Sequence, residues 1–191
     1  MKMRGPAINT IEQEEINLLE RISGGDRRAF EVLYRIYFPR LAQFLRRLVW
    51  DTRVTEEVIN DTLFVVWTKA DTYNRQSKVS TWIFSIAYRQ GLKALAKVDV
   101  PVEMDADALM SDESGEPEKM LNDMQIRLHI GTALDRLSFE HRSVMALTYF
   151  HGMSYEEIAD TVGCSINTVK TRMFYARRKL KTLLSAYGKE T

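Results

Sequence analysis

From Ile16 to Ala96 apolar side chains recur at helical spacing, and no stretch of the chain shows the strict alternation of a half-buried strand. Such a chain must bury helix stripes against one another, which predicts an all-α fold. The period is interrupted at Ser23 to Asp26, at Pro39, at Trp50 to Thr52 and at Tyr73 to Ser77, so this half reads as several helices in one bundle. Residues 98–118 carry Pro101, Gly115 and Pro117 without a long apolar stripe and read as a flexible linker. Periodicity resumes at Met120 (Leu121, Met124, Leu128, Leu134, Leu137), with a further helix around Val144 and Leu147. The expectation is two small helical domains on a tether: an N-terminal extension and first helix at 1–22, a bundle at 23–97, the linker at 98–118 and a second domain at 119–187.

The formal net charge of +1 conceals a strong segregation of sign. Between Val98 and Glu118 there are eight acidic residues and no basic one, whereas between Lys170 and Lys181 there are six basic residues and no acidic one. Other classes find little support. The longest apolar run, Leu63 to Trp67, is too short to cross a bilayer, and the opening residues lack the apolar core of a signal peptide, so a cytoplasmic protein without membrane insertion is expected. Cys164 is the single cysteine, and His129, His141 and His151 lack metal-ligand spacing; all four are read as structural, with no metal or cofactor expected. No nucleophile and base pair, phosphate loop or carboxylate pair has a supporting context, so no enzymatic activity is expected.

Ser154 and Glu157 have the spacing of a capping box, which starts a short helix with Ile158, Ala159 and Val162 facing inward. Gly163 supplies the left-handed turn that ends it, and Ser165 can cap a second helix whose stripe is Ile166, Val169, Met173, Ala176 and Leu180. This is a helix-turn-helix. At roughly 100° per residue, Asn167, Thr171, Phe174, Tyr175 and Arg178 face away from the stripe, flanked by Lys170, Arg172, Arg177, Lys179 and Lys181. A merely solvated helix mixes Glu with Lys; a purely basic helix with two exposed rings suits a major groove lined by phosphates. Ser165, Asn167, Thr168, Lys170, Thr171, Arg172, Phe174, Tyr175, Arg177 and Arg178 are the candidate DNA contacts, with Lys170 and Thr171 placed to reach base edges.

In the first domain the helix from Thr55 to about Ala70 turns Ile59, Leu63, Val66 and Trp67 inward and leaves Glu57, Asp61, Phe64 and Thr68 on the far face. An exposed Phe between acids is a candidate protein-binding surface, the alternative being that Phe64 folds back onto its own domain. The loop from Tyr73 to Ser80 is polar, basic and free of acids; Tyr73 and Trp82 are read as core.

Region by region, the chain resembles a known family. Ala133 to Leu137, Arg142, Gly152 to Ala159, Asn167 to Arg172 and Ala176 to Leu180 resemble region 4 of a bacterial sigma factor, and Gly25 to Phe30, Glu56 to Trp67 and Thr81 to Ala87 resemble region 2. Asn60-Asp61 stands where the family usually has Gln-Glu, and Tyr175 where many members have Arg. A chain with these two regions alone resembles the extracytoplasmic-function (ECF) group. The resemblance implies a promoter-specificity subunit. Glu57, Asn60, Asp61 and Phe64 would meet the clamp-helix coiled coil of core RNA polymerase. The helix starting at Ser165 would read the −35 element, and Asn74, Arg75, Gln76 and Lys78 would hold a base extruded from the melted non-template strand of the −10 element. It also implies an anti-sigma factor as a partner, and a linker that threads the polymerase and is not only a tether. Two other functions fit parts of the pattern. An autonomous DNA-binding regulator predicts tight operator binding without polymerase, and a sigma-like decoy need not keep the basic face from Lys170 to Lys181.

Overall fold

The computed structural model describes residues 10–49, 51–97 and 130–187. The expected extension before Thr10 and the acidic linker lie outside them. Every regular element among the described residues is helical. The first group comprises α1 (Thr10–Ser23), α2 (Arg27–Leu45), α3 (Thr52–Lys69) and α4 (Val79–Lys97), with a 3-10 turn at Ala70–Thr72 between α3 and α4. The second comprises a helical stretch over 130–135 (α5), then α6 (Phe139–Tyr149), α7 (Tyr155–Val162) and α8 (Ile166–Tyr187).

The breaks between helices are chemical. Gly25 at φ 84 turns the chain after α1, and the Asp26 carboxylate accepts from the backbone N–H of Arg28 and Ala29 to start α2. Asp51 does the same for α3 through Arg53 and Val54. The break expected at Pro39 does not occur: α2 runs through it. Pro39 and Arg35 both lie on the exposed side of α2, so the Arg35 carbonyl that loses its partner faces water, where the loss costs little.

In the first group Leu19, Leu33, Tyr37, Leu41, Phe44, Leu63, Val66, Ile83 and Phe84 form a fully enclosed core. Each such side chain contributes roughly 1.5–3 kcal/mol by leaving water. In the second group Ala133, Val144, Leu147, Ile158, Val169, Met173 and Ala176 play that part.

The two groups do not stand apart. They share one continuous buried cluster, with α4 packed along α7. The Phe139 ring lies 5.3 Å from that of Tyr88 and covers Gly91, where a Cβ would already sit 3.6 Å from it. The His151 ring enters a slot 4.6 Å from Phe84 and 5.9 Å from Phe44, and the Arg47 guanidinium stacks 3.5 Å over Phe150. Burial, reinforced by Arg40 and Arg47, pushes the His151 pKa down to about 4, so the imidazole is held neutral.

Candidate nucleic-acid interface

The turn between α7 and α8 is built as its residues require. The Ser154 hydroxyl accepts from the Glu157 N–H at 3.2 Å while Glu157 Oε2 accepts from the Ser154 N–H at 2.7 Å, a reciprocal cap. Gly163, at φ 68 and ψ 43, ends α7 in the left-handed conformation, and the Cys164 N–H returns to the Ala159 carbonyl. The Ser165 hydroxyl then accepts from the Thr168 N–H at 3.1 Å and begins α8. Val169, Met173 and Ala176 fix α8 against the domain, whereas Ile166, expected inside, is 37% exposed on the first turn of α8.

The positions predicted to touch DNA divide four ways. Asn167, Lys170, Thr171, Phe174, Tyr175 and Arg178 share an open face, on which the Phe174 and Tyr175 rings meet edge to face at 5.4 Å and are 61% and 51% exposed. Arg177 lies at the rim, its Nε donating to the Tyr149 hydroxyl at 3.1 Å. Ser165 and Thr168 spend their hydroxyls on the cap. Arg172 is half-buried, its guanidinium 3.9 Å from Cys164 Sγ and turned towards Tyr88 of α4.

The loop before α4 is tightly wound. Asn74 Oδ1 accepts from the Gln76 N–H at 3.1 Å, the Tyr73 hydroxyl donates to the Ser77 carbonyl at 2.7 Å, and Arg75 between them adopts φ 61. The Tyr73 and Trp82 rings pack 5.6 Å apart, half-buried. Asn74, Arg75, Gln76 and Lys78, the four predicted residues, are all exposed on this loop. Arg75 pairs with Glu20 of α1, and Lys78 Nζ lies 2.6 Å from Glu157 Oε1. That hydrogen bond holds Lys78 above its ordinary pKa. Partial burial of Glu157 works against its ionised form, but the bonds from Lys78 and the Ser154 N–H prevail and keep its pKa low.

On α3, Thr55, Val58, Ile59, Thr62, Leu63 and Val66 are buried, while Glu57, Asn60, Asp61 and Phe64 are exposed. Phe64 does not fold back: it is 65% exposed. A cavity between α3 and α4 is lined in part by Glu57, Asp61, Lys93 and Lys97.

Comparison with known proteins gives the family. Residues 33–99 match the family model "Sigma-70 region 2" and residues 127–180 match "Sigma-70, region 4". The chain belongs to the sigma-70 family, in its ECF group. It is 25% identical to the RNA polymerase sigma-H factor of Pseudomonas aeruginosa over 190 residues, covering 94% of this chain and 98% of that protein. It is 28% identical to the ECF RNA polymerase sigma-E factor of Escherichia coli over 173 residues, covering 85% of this chain and 90% of the relative. Among solved structures, the sigma factor RpoE in complex with the anti-sigma factor NepR from Bartonella quintana matches with a TM-score of 0.62 and 26% identity, over 82% of this chain and 96% of that one. CnrH in complex with the cytosolic domain of CnrY shares the fold, with a TM-score of 0.68 and 24% identity over 91% and 98%.

As a sigma factor, the chain is a subunit for promoter recognition and transcription initiation, and its family is not one of enzymes. No helix among the described residues is long and apolar enough to cross a membrane. Sequence reasoning overlooked two groups of residues in the sigma factor. Tyr149, at the end of α6, carries no local signal of its approach to Arg177. Glu20 and Glu157 meet the loop only through tertiary packing, which no spacing rule encodes.

Proposed function

We propose that this sigma factor captures core RNA polymerase through the α3 face formed by Glu57, Asn60, Asp61 and Phe64. It reads the −35 element with α8, and takes up a melted −10 base on the loop of Asn74, Arg75, Gln76 and Lys78. In this reading residues 23–97 are the −10 and polymerase module, residues 119–187 are the −35 module, and residues 98–118 join them. The chain acts in the cytoplasm and has no active site of its own, the chemistry of RNA synthesis belonging to the polymerase. An anti-sigma factor is a further partner, as in the RpoE and NepR complex.

The observation that carries the reading is the open face of α8. Lys170, Arg178, Lys179 and Lys181 have no carboxylate of the described residues within ion-pair distance, and two aromatic rings stand among them in water. A cluster of like-charged cations beside exposed rings sets up a positive field and an apolar contact surface that a phosphate-lined groove matches. The test is run-off transcription: purified core polymerase with this chain should start at discrete sites on genomic templates where core alone does not. An absence of promoter-dependent initiation from every genomic template overturns the proposal.

A further inference from the structure

The two cations of the −10 loop are both occupied within the chain, and by different elements. Arg75 is paired with Glu20 of α1. Lys78 is paired with Glu157, whose other carboxylate oxygen caps α7. Glu12 adds its field at Lys78, and Glu12 and Glu15 both act on Tyr73, so the acidic side of α1 lies along the loop. A carboxylate oxygen on a guanidinium or an ammonium offers the same chemistry as a phosphate oxygen.

We propose that Glu20 and Glu157 are an internal stand-in for the DNA backbone, which keeps the −10 loop of the free chain closed to single-stranded DNA. This rests on the reading of the loop as a single-strand site. The two halves of the device differ in how they release. Glu20 can swing away locally, since it and Arg75 are both more than half exposed. Glu157 is tied into the cap of the helix-turn-helix, so its carboxylate is carried away from the loop when α7 leaves α4, although the Lys78 side chain, itself more than half exposed, can also swing clear of it. The −10 and −35 elements are separate stretches of DNA, and engaging both with one chain demands that departure. The Lys78–Glu157 pair thus links exposure of the loop to separation of the two DNA-reading modules, and a chain without polymerase is kept from binding exposed single strands.

The test is fluorescence anisotropy of a labelled ten-nucleotide oligothymidylate with the free full-length chain over a range of NaCl concentrations. Gln keeps the shape and the capping bond at position 157 while removing the charge, so the fold is preserved. Glu20→Gln with Glu157→Gln should tighten binding about tenfold at low salt, each exposed pair being worth a few-fold. The slope of log affinity against log salt should steepen by about 1.4, since two more phosphates are engaged. Glu14→Gln with Glu31→Gln, which changes the net charge equally at exposed acids paired with neither Arg75 nor Lys78, should leave affinity and slope near those of the unmodified chain. Adding Arg75→Ala and Lys78→Ala to the first pair should abolish its gain. Equal behaviour of the two Gln pairs, or a gain that survives loss of Arg75 and Lys78, overturns the proposal. The underlying reading is tested separately: Arg75→Ala with Lys78→Ala should impair initiation by the polymerase-bound chain on pre-melted genomic templates. Unimpaired initiation there sinks the reading itself, whatever the anisotropy shows.

Discussion

The loop at residues 73–78 and helix α8 are both basic, and they treat their charge in opposite ways. In the loop each cation has a carboxylate partner from elsewhere in the fold, and the backbone is wound into a strained conformation. On α8 the backbone is regular, the buried stripe of Val169, Met173 and Ala176 fixes its position, and most of the cations are left in water. A helix can hold its shape through packing and leave its charges for a ligand. A short loop has no such stripe, so side-chain and backbone hydrogen bonds must shape it.

The strongest test of that contrast is on shape. Met173→Ala should destabilise the chain by about 3 kcal/mol and lower its melting temperature by roughly 6–12 °C, whereas Arg75→Gly should leave melting unchanged or slightly raised, since glycine relieves a left-handed backbone. A large loss from Arg75→Gly in thermal melts would mean that the side chain, and not the backbone bonds, shapes the loop. The next test is on charge. Lys170→Ala with Arg178→Ala and Lys181→Ala should weaken binding to duplex DNA on the order of a hundredfold at low salt and flatten the salt slope by about 2.7, while Arg75→Ala with Lys78→Ala should not alter duplex affinity. Comparable losses from both sets, measured by filter retention, would erase the distinction between a duplex reader and a single-strand reader.

A third surface calibrates these two. Phe64→Ala with Asp61→Ala should weaken polymerase capture about tenfold in a competition assay, as removal of an exposed aromatic anchor does, and leave duplex binding and melting intact. The last expected effect concerns the seam between the regions. The folded state keeps His151 neutral with a pKa of about 4, whereas the unfolded chain titrates near the ordinary 6.5. The unfolded state therefore binds more protons between those values, so the contribution of neutral His151 is complete above pH 6.5 and declines as the pH falls towards 4. His141, also depressed by burial, acts with the same sign. His151→Phe should flatten most of the pH dependence of melting in that window; an unchanged profile would show that the slot is open to water.

Much of this fold was legible because its punctuation is local. Asp26, Asp51, Ser154 and Gly163 end or begin helices through bonds to residues two to four positions away, and the inward stripes follow from helical period. Pro39 misled because a proline's cost depends on which side of the helix the orphaned carbonyl faces, and that is a tertiary property. The docking of the two halves was illegible for a similar reason. Phe139 and Tyr88 belong to no motif, His151 reads only as structural, and a buried ring bears no mark of which neighbour buries it. Among the site residues, the open face of α8 follows from angular position alone, but the inward turn of Arg172 depends on Cys164 and Tyr88 lying beside it.

Arg75 carries one more implication. A left-handed conformation at a residue with a Cβ costs about 1 kcal/mol, and a single-codon drift to glycine would remove that cost while keeping the bend. Stability alone therefore drives evolution away from arginine at this position. Across lineages, those that still need the charge should keep a cation here, and those whose loop no longer meets DNA should slide to glycine or asparagine. The identity of this one residue then becomes a record of whether the loop is still in use.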